Sequence, residues 1–272
     1  MTASRLAVVG HVEWIEFLRV DHVPAAGEIV TAEETWEEAA GGGAVAAVQL
    51  AKLAGSSTFF TLLGDDELGR RAKAELERRG VSVEAEFVPK PTRRGVTYVD
   101  GDGERTITVI GEKLHPLDSH HLPWMELARY DGVYFTAGDE GALRAARRAR
   151  VLVATARELS TLRRASVELD ALVGSGDDLA EQYSPGDLEP APQLVVSTAG
   201  GLGGWSQPGG PFRASPLPGT VDDAYGAGDS FAAGLTFGLA SGLPREEAIE
   251  LASRCGAAVM TGRGPYEKQL AL

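Results

Sequence analysis

Two kinds of apolar spacing alternate along the chain. Short runs in which almost every position is apolar, such as Leu6-Ala7-Val8-Val9, are what strands covered on both faces require. Runs of this kind recur at 58–63, 133–135, 151–154, 171–173 and 194–197, and 81–88, where Ser82, Glu84 and Glu86 alternate with apolar residues, reads as another strand. Between them the period lengthens to that of a helix, at 44–53 (closed by Gly55), 67–79, 141–148, 158–164 and 177–182. After Asp229 a longer helical stretch repeats Phe231, Leu235 and Leu239 every four residues until Gly242, and Pro244 opens another. Strands alternating with helices predict right-handed βαβ crossovers and a mostly parallel sheet.

Two segments break the alternation. Val12, Trp14, Ile15, Phe17, Leu18 and Val20 interleave with Glu13, Glu16 and Arg19, and a second strand-like stretch covers 29–36 after the turn at 24–27. Further on, 95–99 and 104–110 flank Asp100-Gly101-Asp102-Gly103, whose Asp-Gly pairs mark a hairpin. These strands predict a small sheet projecting from the core, a lid built from about 12–38 and 94–110. Trp14 and Trp36 fit either an exposed face of that lid or a core position. A last pair of short strands is predicted around Pro208-Gly209-Gly210-Pro211.

Composition excludes more than it assigns. At 272 residues, 43% hydrophobic and 24% charged, the chain is expected to form one domain over 1–272 with a single large core. A net charge of −13 sets aside nucleic acid and anionic membranes as partners, since both need clustered Lys and Arg; the pairs Arg70-Arg71 and Arg78-Arg79 lie on a Glu-rich solvated helix. Cys255, the one cysteine, shares an apolar helix face with Leu251 and Val259 and is expected in the core. With no intrachain disulfide, no leader pattern at the start and no apolar run of spanning length, the expected location is the cytoplasm.

Candidate chemistry gathers in loops that such a sheet would bring to the carboxyl ends of its strands: Ser175 to Asp178, Thr198 to Gly203 and Gly226 to Asp229. Gly226-Ala227-Gly228 precedes the long helix, where unpaired amides and the positive dipole end favour an anion and small residues let it approach. Asp229 beside that anion is placed to take a proton from an attacking hydroxyl; an ordinary helix N-cap is the alternative. Gly41, Gly42 and Gly43 open another helix. A dinucleotide fingerprint there would have to follow a buried strand, whereas Glu33-Glu34-Thr35-Trp36-Glu37-Glu38 precedes it, so glycines facing substrate hydroxyls fit better. Arg105 either reaches a substrate anion or lies at the surface, and Glu13 is a polar residue on the first lid strand. His115, His120 and His121 lack a metal-ligand spacing.

Several motifs in order extend this picture. Pro24-Ala25-Ala26-Gly27-Glu28, Gly41-Gly42-Gly43-Ala44, Gly64-Asp65-Asp66-Glu67-Leu68-Gly69, Thr198-Ala199-Gly200-Gly201-Leu202-Gly203 and Asp223-Ala224-Tyr225-Gly226-Ala227-Gly228-Asp229 resemble, over nearly the whole chain, the signatures of the ribokinase-like (PfkB-type) carbohydrate kinase family. The resemblance implies an α/β three-layer sandwich with a central mostly parallel sheet and a small β-sheet lid. It implies ATP-dependent transfer of a phosphoryl group to a hydroxyl of a small sugar or sugar-like substrate, with Asp229 as base and Gly226, Ala227 and Gly228 as anion hole. Glu13, Gly41, Gly42, Gly43 and Arg105 would face the substrate, and Ser175, Thr198, Gly200, Gly203 and Gly264 the ATP. Asp178 would help hold magnesium through water, the loop at 261–265 would hold a monovalent cation such as potassium, and the lid would pair two subunits into a homodimer. Several departures, the loss of the Lys in the family's Gly-Gly-Lys-Gly-Ala-Asn signature among them, touch the substrate more than the reaction. Ala224 replaces the family's Thr, Ile15 its lid Asp, Val45 its Asn, and Ser175-Gly176-Asp177-Asp178 its Asn-x-x-Glu. The same departures leave open a binding or regulatory protein on this fold, or a nucleoside or vitamin-precursor kinase.

Overall fold

In the computed structural model, which describes residues 4–272, the strand β1 (Leu6–Val9) is buried along its whole length. Its side chains alternate between layers: Leu6 and Val8 enter one apolar cluster, Ala7 and Val9 another. This is the period-2 geometry of a strand covered on both faces, and it places β1 in the middle layer.

The elements that follow are β2 (Glu13–Arg19), β3 (Glu34–Ala40), α1 (Gly42–Ala54), β4 (Ser57–Gly64), α2 (Glu67–Arg78) and β5 (Val81–Val88). Then come β6 (Arg94–Val99), β7 (Arg105–Ile110), β8 (Gly132–Phe135), α3 (Glu140–Ala146), β9 (Val151–Thr155), α4 (Leu159–Ala165) and β10 (Ala171–Ser175). The chain ends with β11 (Val195–Thr198), β12 (Gly204–Gln207), β13 (Gly210–Phe212), α5 (Ala227–Ala240) and α6 (Arg245–Val259). Nine strands form one sheet in the order β13-β12-β11-β10-β9-β8-β1-β4-β5, parallel except where β12 and β13 turn back. Residues of α1, α2, α5 and α6 pack with Leu6 and Val8, and residues of α3 and α4 with Ala7 and Val9, giving the three-layer α/β sandwich with its mostly parallel sheet. Cys255 is buried among α1 and α6 residues, a core position as its spacing predicts. Among the described residues no helix is long and apolar enough to cross a membrane.

The lid is a separate sheet in the order β3-β2-β6-β7. Asp66 anchors it: its carboxylate caps α2 through Gly69 N–H (2.8 Å) and also takes Thr92 N–H (2.7 Å), just before β6. The Gly-Asp-Asp turn is thus a joint between layers. Two expectations need correction. The second lid strand is not 29–36 but Glu34–Ala40, and Ile29 is 96% exposed in the connection. The helix expected at 177–182 is a single 3-10 turn at Leu179–Glu181, because Glu181 folds back to accept Ser175 N–H. Of the two positions open to Trp14 the core one is found: it is buried, and the Arg71 guanidinium covers its ring at 4.3 Å. Trp36, half-buried, stacks on Phe17 with ring centroids 4.9 Å apart.

Candidate active site

Gly226 adopts φ 83°, a left-handed conformation open to glycine, and so turns the chain abruptly into α5. Gly226 itself is therefore the N-cap and Asp229 stands in the first turn, which disposes of Asp229 as a cap. A side chain on Gly228 would meet only open space, so the first-turn amides have a free approach.

The Asp229 carboxylate leans on the start of a second helix. A Cβ on Gly42 would stand 2.7 Å from Asp229 Oδ1, so only glycine at 42 allows the close approach of α1 to this acid. Two helix N-termini thus face one carboxylate. Asp229 is half-buried, and burial pushes its carboxyl up to about 6; Glu181 and Glu13 reinforce the rise while Arg105 and Arg157 oppose it. A carboxyl in that range is ionised at neutral pH and basic enough to accept a proton.

Around it the strand ends converge. Thr136, one residue past β8, is buried, and its hydroxyl, without a partner among the described residues, is directed toward Gly10 and Gly42. On the lid side, Gly41 faces Glu13 and His11. Glu13 is buried and salt-bridged to Arg93 (3.0 Å), and its carboxyl is raised by burial against the pull of Arg93 and Lys113. Ile15, where the family places an Asp, is fully buried. Arg105 spends its guanidinium on Ala224 O (2.7 Å) and lies over the Tyr225 ring, so it braces the lid on the Gly226 turn. Tyr225 ties the same joint: its hydroxyl accepts Gly41 N–H (3.2 Å) and its ring meets Phe17 edge-on.

On the other side Ser175 and Thr198 are register partners at the ends of β10 and β11, and Gly176 N–H donates to Thr198 O at 2.8 Å. Gly200 and Gly203 bracket a 3-10 turn beyond β11; side-chain space at Gly200 is open, whereas Gly203 is pressed on Phe212. Gly264 lies apart from these, donating its N–H to the buried Asp223 carboxylate (3.1 Å) against Trp36 and Glu38. Asp178 caps the turn at Leu179–Glu181 and pairs with Arg157 at 2.6 Å. Arg157 also holds Glu181 at 2.5 Å, and it is Glu181, not Asp178, whose charge bears on Asp229.

His11, Arg93, Lys113, Thr136, Arg157 and Glu181 are not legible as motif residues. The signal that finds three of them is position: His11, Thr136 and Arg157 each lie one or two residues past the carboxyl end of a parallel strand. Among the described residues no group of three or more His, Cys, Asp or Glu side chains could hold a metal by itself. Carboxylates at 178 and 181 suit a magnesium ion carried on phosphate oxygens and water, the manner in which that ion is commonly bound.

Known proteins bear on this arrangement. The chain is 28% identical over 293 aligned residues to an ATP-dependent ribose-1-phosphate kinase of Halopiger xanaduensis, covering 93% of this chain and 90% of the relative. It is 29% identical to a fructokinase of Salmonella typhimurium over 84% of this chain and 90% of that one. The fold matches a ribokinase from Cryptococcus neoformans in complex with ADP, with a TM-score of 0.76 at 22% identity over 98% of this chain and 97% of that one. The model of the pfkB family carbohydrate kinases matches residues 3–157 and 139–271, and the chain belongs to that family.

Proposed function

We propose that this carbohydrate kinase transfers the terminal phosphoryl group of ATP to a hydroxyl of a small sugar, with Asp229 as the general base. The observation that carries the reading is the half-buried Asp229 carboxylate, raised to about 6 and seated between the N-termini of α1 and α5. The acceptor hydroxyl would sit between Gly41–Gly43 and Asp229 and give its proton to Oδ1 or Oδ2 as its oxygen attacks phosphorus. Gly226, Ala227 and Gly228 would offer backbone N–H groups to the phosphoryl oxygens. The relatives named for kinases of ribose 1-phosphate and fructose support a sugar acceptor.

ATP would lie along Ser175, Thr198 and Gly200, a path supported by the open backbone at Gly200 and by the pairing of the two strand ends. Magnesium, when bound, supplies charge neutralisation on the phosphates; Glu181 and Asp178 would hold its water shell. Asp223, fully buried and raised by burial, is the carboxylate beside the 261–265 loop that a monovalent cation would relieve. The exposed apolar residues Ile107, Val109 and Ile110 on the edge strand β7 support pairing of two lids. An ADP-release assay over neutral sugars, sugar phosphates and nucleosides, with and without potassium, tests the reading. Acceptor-independent ADP release throughout would overturn it.

A further inference from the structure

Beside the acceptor face stands a set of cationic groups that proton abstraction and phosphoryl transfer do not require. Arg93, immediately before β6, meets Glu13 through Nη1 at 3.0 Å, while its Nε is buried with no partner among the described residues. Lys113, just beyond β7, meets Glu158 at 2.9 Å. Both bear on Glu13, and both bear on His11, whose ring is held neutral, pushed down to about 3 by burial and by Lys113, Arg93, His115 and Arg157. His11 Nδ1 is likewise buried without a partner, and Thr136, 5% exposed, adds a hydroxyl in the same state.

Resting on the kinase reading above, we infer that the acceptor is itself an anion, a sugar carrying a phosphate ester or a carboxylate, and that Arg93 and Lys113 hold this group while Asp229 faces the reacting hydroxyl. Donors outnumber acceptors here. The Nε–H of Arg93 and the Thr136 hydroxyl have no partner among the described residues, and a buried donor left so is costly; Lys113, partly exposed and paired with Glu158, adds a second positive charge. A polyol hydroxyl satisfies one donor at a time and brings a donor of its own. A phosphate or carboxylate brings only acceptors, takes charge-assisted bonds, and matches the planar guanidinium. Glu13 and Glu158 hold the two cations in place until the substrate arrives. Burial of Glu13 favours its neutral form, which loosens its grip on Arg93 as a second anion enters.

The test compares kcat/KM for four acceptors in the ADP-release assay: ribose, ribose 5-phosphate, ribose 1-phosphate and gluconate. One or two charge-assisted bonds predict a preference for an anionic acceptor over ribose of about 100-fold. Which anion is preferred separates a phosphate subsite from a carboxylate one. In Arg93→Met and Lys113→Met the ratio of anionic to neutral kcat/KM falls by about the same factor, and Arg93→Lys recovers part of it. Should one variant fail to fold, the other and the parent comparison still decide. Equal or better use of ribose by the parent enzyme overturns the anionic acceptor and leaves the kinase reading standing. ADP release that no acceptor stimulates, here and across the wider panel of sugars, sugar phosphates and nucleosides, overturns the kinase reading itself.

Discussion

Replacing Asp229 with Asn is predicted to stabilise the protein while removing its activity. A carboxyl displaced from its ordinary 3.8 to about 6 is penalised in its ionised form by about 3 kcal/mol. Because the residue is half-buried, solvent screens part of this, so the penalty relieved by Asn is about 1–3 kcal/mol. The folded carboxyl keeps a proton that the unfolded chain releases between pH about 4 and 6. The parent therefore loses stability as pH rises through that window and does not regain it above. Asn carries no such charge, so the two proteins should melt nearly together at pH 4 and separate by roughly 2–12 °C at pH 8, for about 2–4 °C per kcal/mol in a chain of this size. Turnover in the same variant should fall by about 100- to 10,000-fold, the span of a lost general base, and kcat/KM of the parent should drop below pH about 6. Thermal melts across pH 4–8 and ADP release read both. A variant no more stable than the parent at pH 8, or more stable by one fixed margin at every pH, refutes the electrostatic account. Retention of more than about a tenth of the activity refutes the base.

Four further outcomes are open to measurement. Gly42→Ala places a methyl 2.7 Å from Asp229 Oδ1 and should lower kcat at least about 10-fold, with the affinity for ATP by titration calorimetry nearly unchanged. Glu181→Gln should raise the magnesium concentration for half-maximal rate more than Asp178→Asn does, since Glu181 is the acid coupled to Asp229. Asp66→Ala removes the cap of α2 and the hold on Thr92, and should cost about 2 kcal/mol in urea unfolding; burial raises the Asp66 carboxyl but the Thr92 and Gly69 hydrogen bonds outweigh it and hold the group below its ordinary value, so the parent's advantage fades in acid. Val109→Lys on the exposed edge of β7 should shift sedimentation from dimer to monomer; a species unchanged in size speaks against pairing through the lid.

The central sheet is legible because most of its strands are apolar on successive positions, and the Gly226 turn because it stands among several ordered motifs; alone it reads equally as an ordinary helix start. Ile29 and Val30 draw the expected second lid strand toward 29–36, but the true strand, Glu34–Ala40, carries Glu34, Glu37 and Glu38 and lacks an apolar run. A strand of a small sheet with one wet face need not be apolar. The helix over 177–182 fails for a different cause. Its acids satisfy Arg157, just past β9, and Ser175 N–H at the end of β10, and the first of these contacts lies outside any local window. The same holds for Arg93 and Lys113, brought to His11 only by the lid's pairing of β6 with β2.

The direct passage of β3 into α1, with Gly41 alone between Ala40 and Gly42, has a mechanical outcome. Whatever swings the lid pulls on the very residue against which Asp229 rests, and Tyr225 clamps the pivot through Gly41 N–H. If Asp229 is the base proposed above, acceptor capture and its aim would be one movement. An idle enzyme with its cover ajar would hold a misdirected carboxylate, and ATP would be spared from water until the sugar locks the hinge.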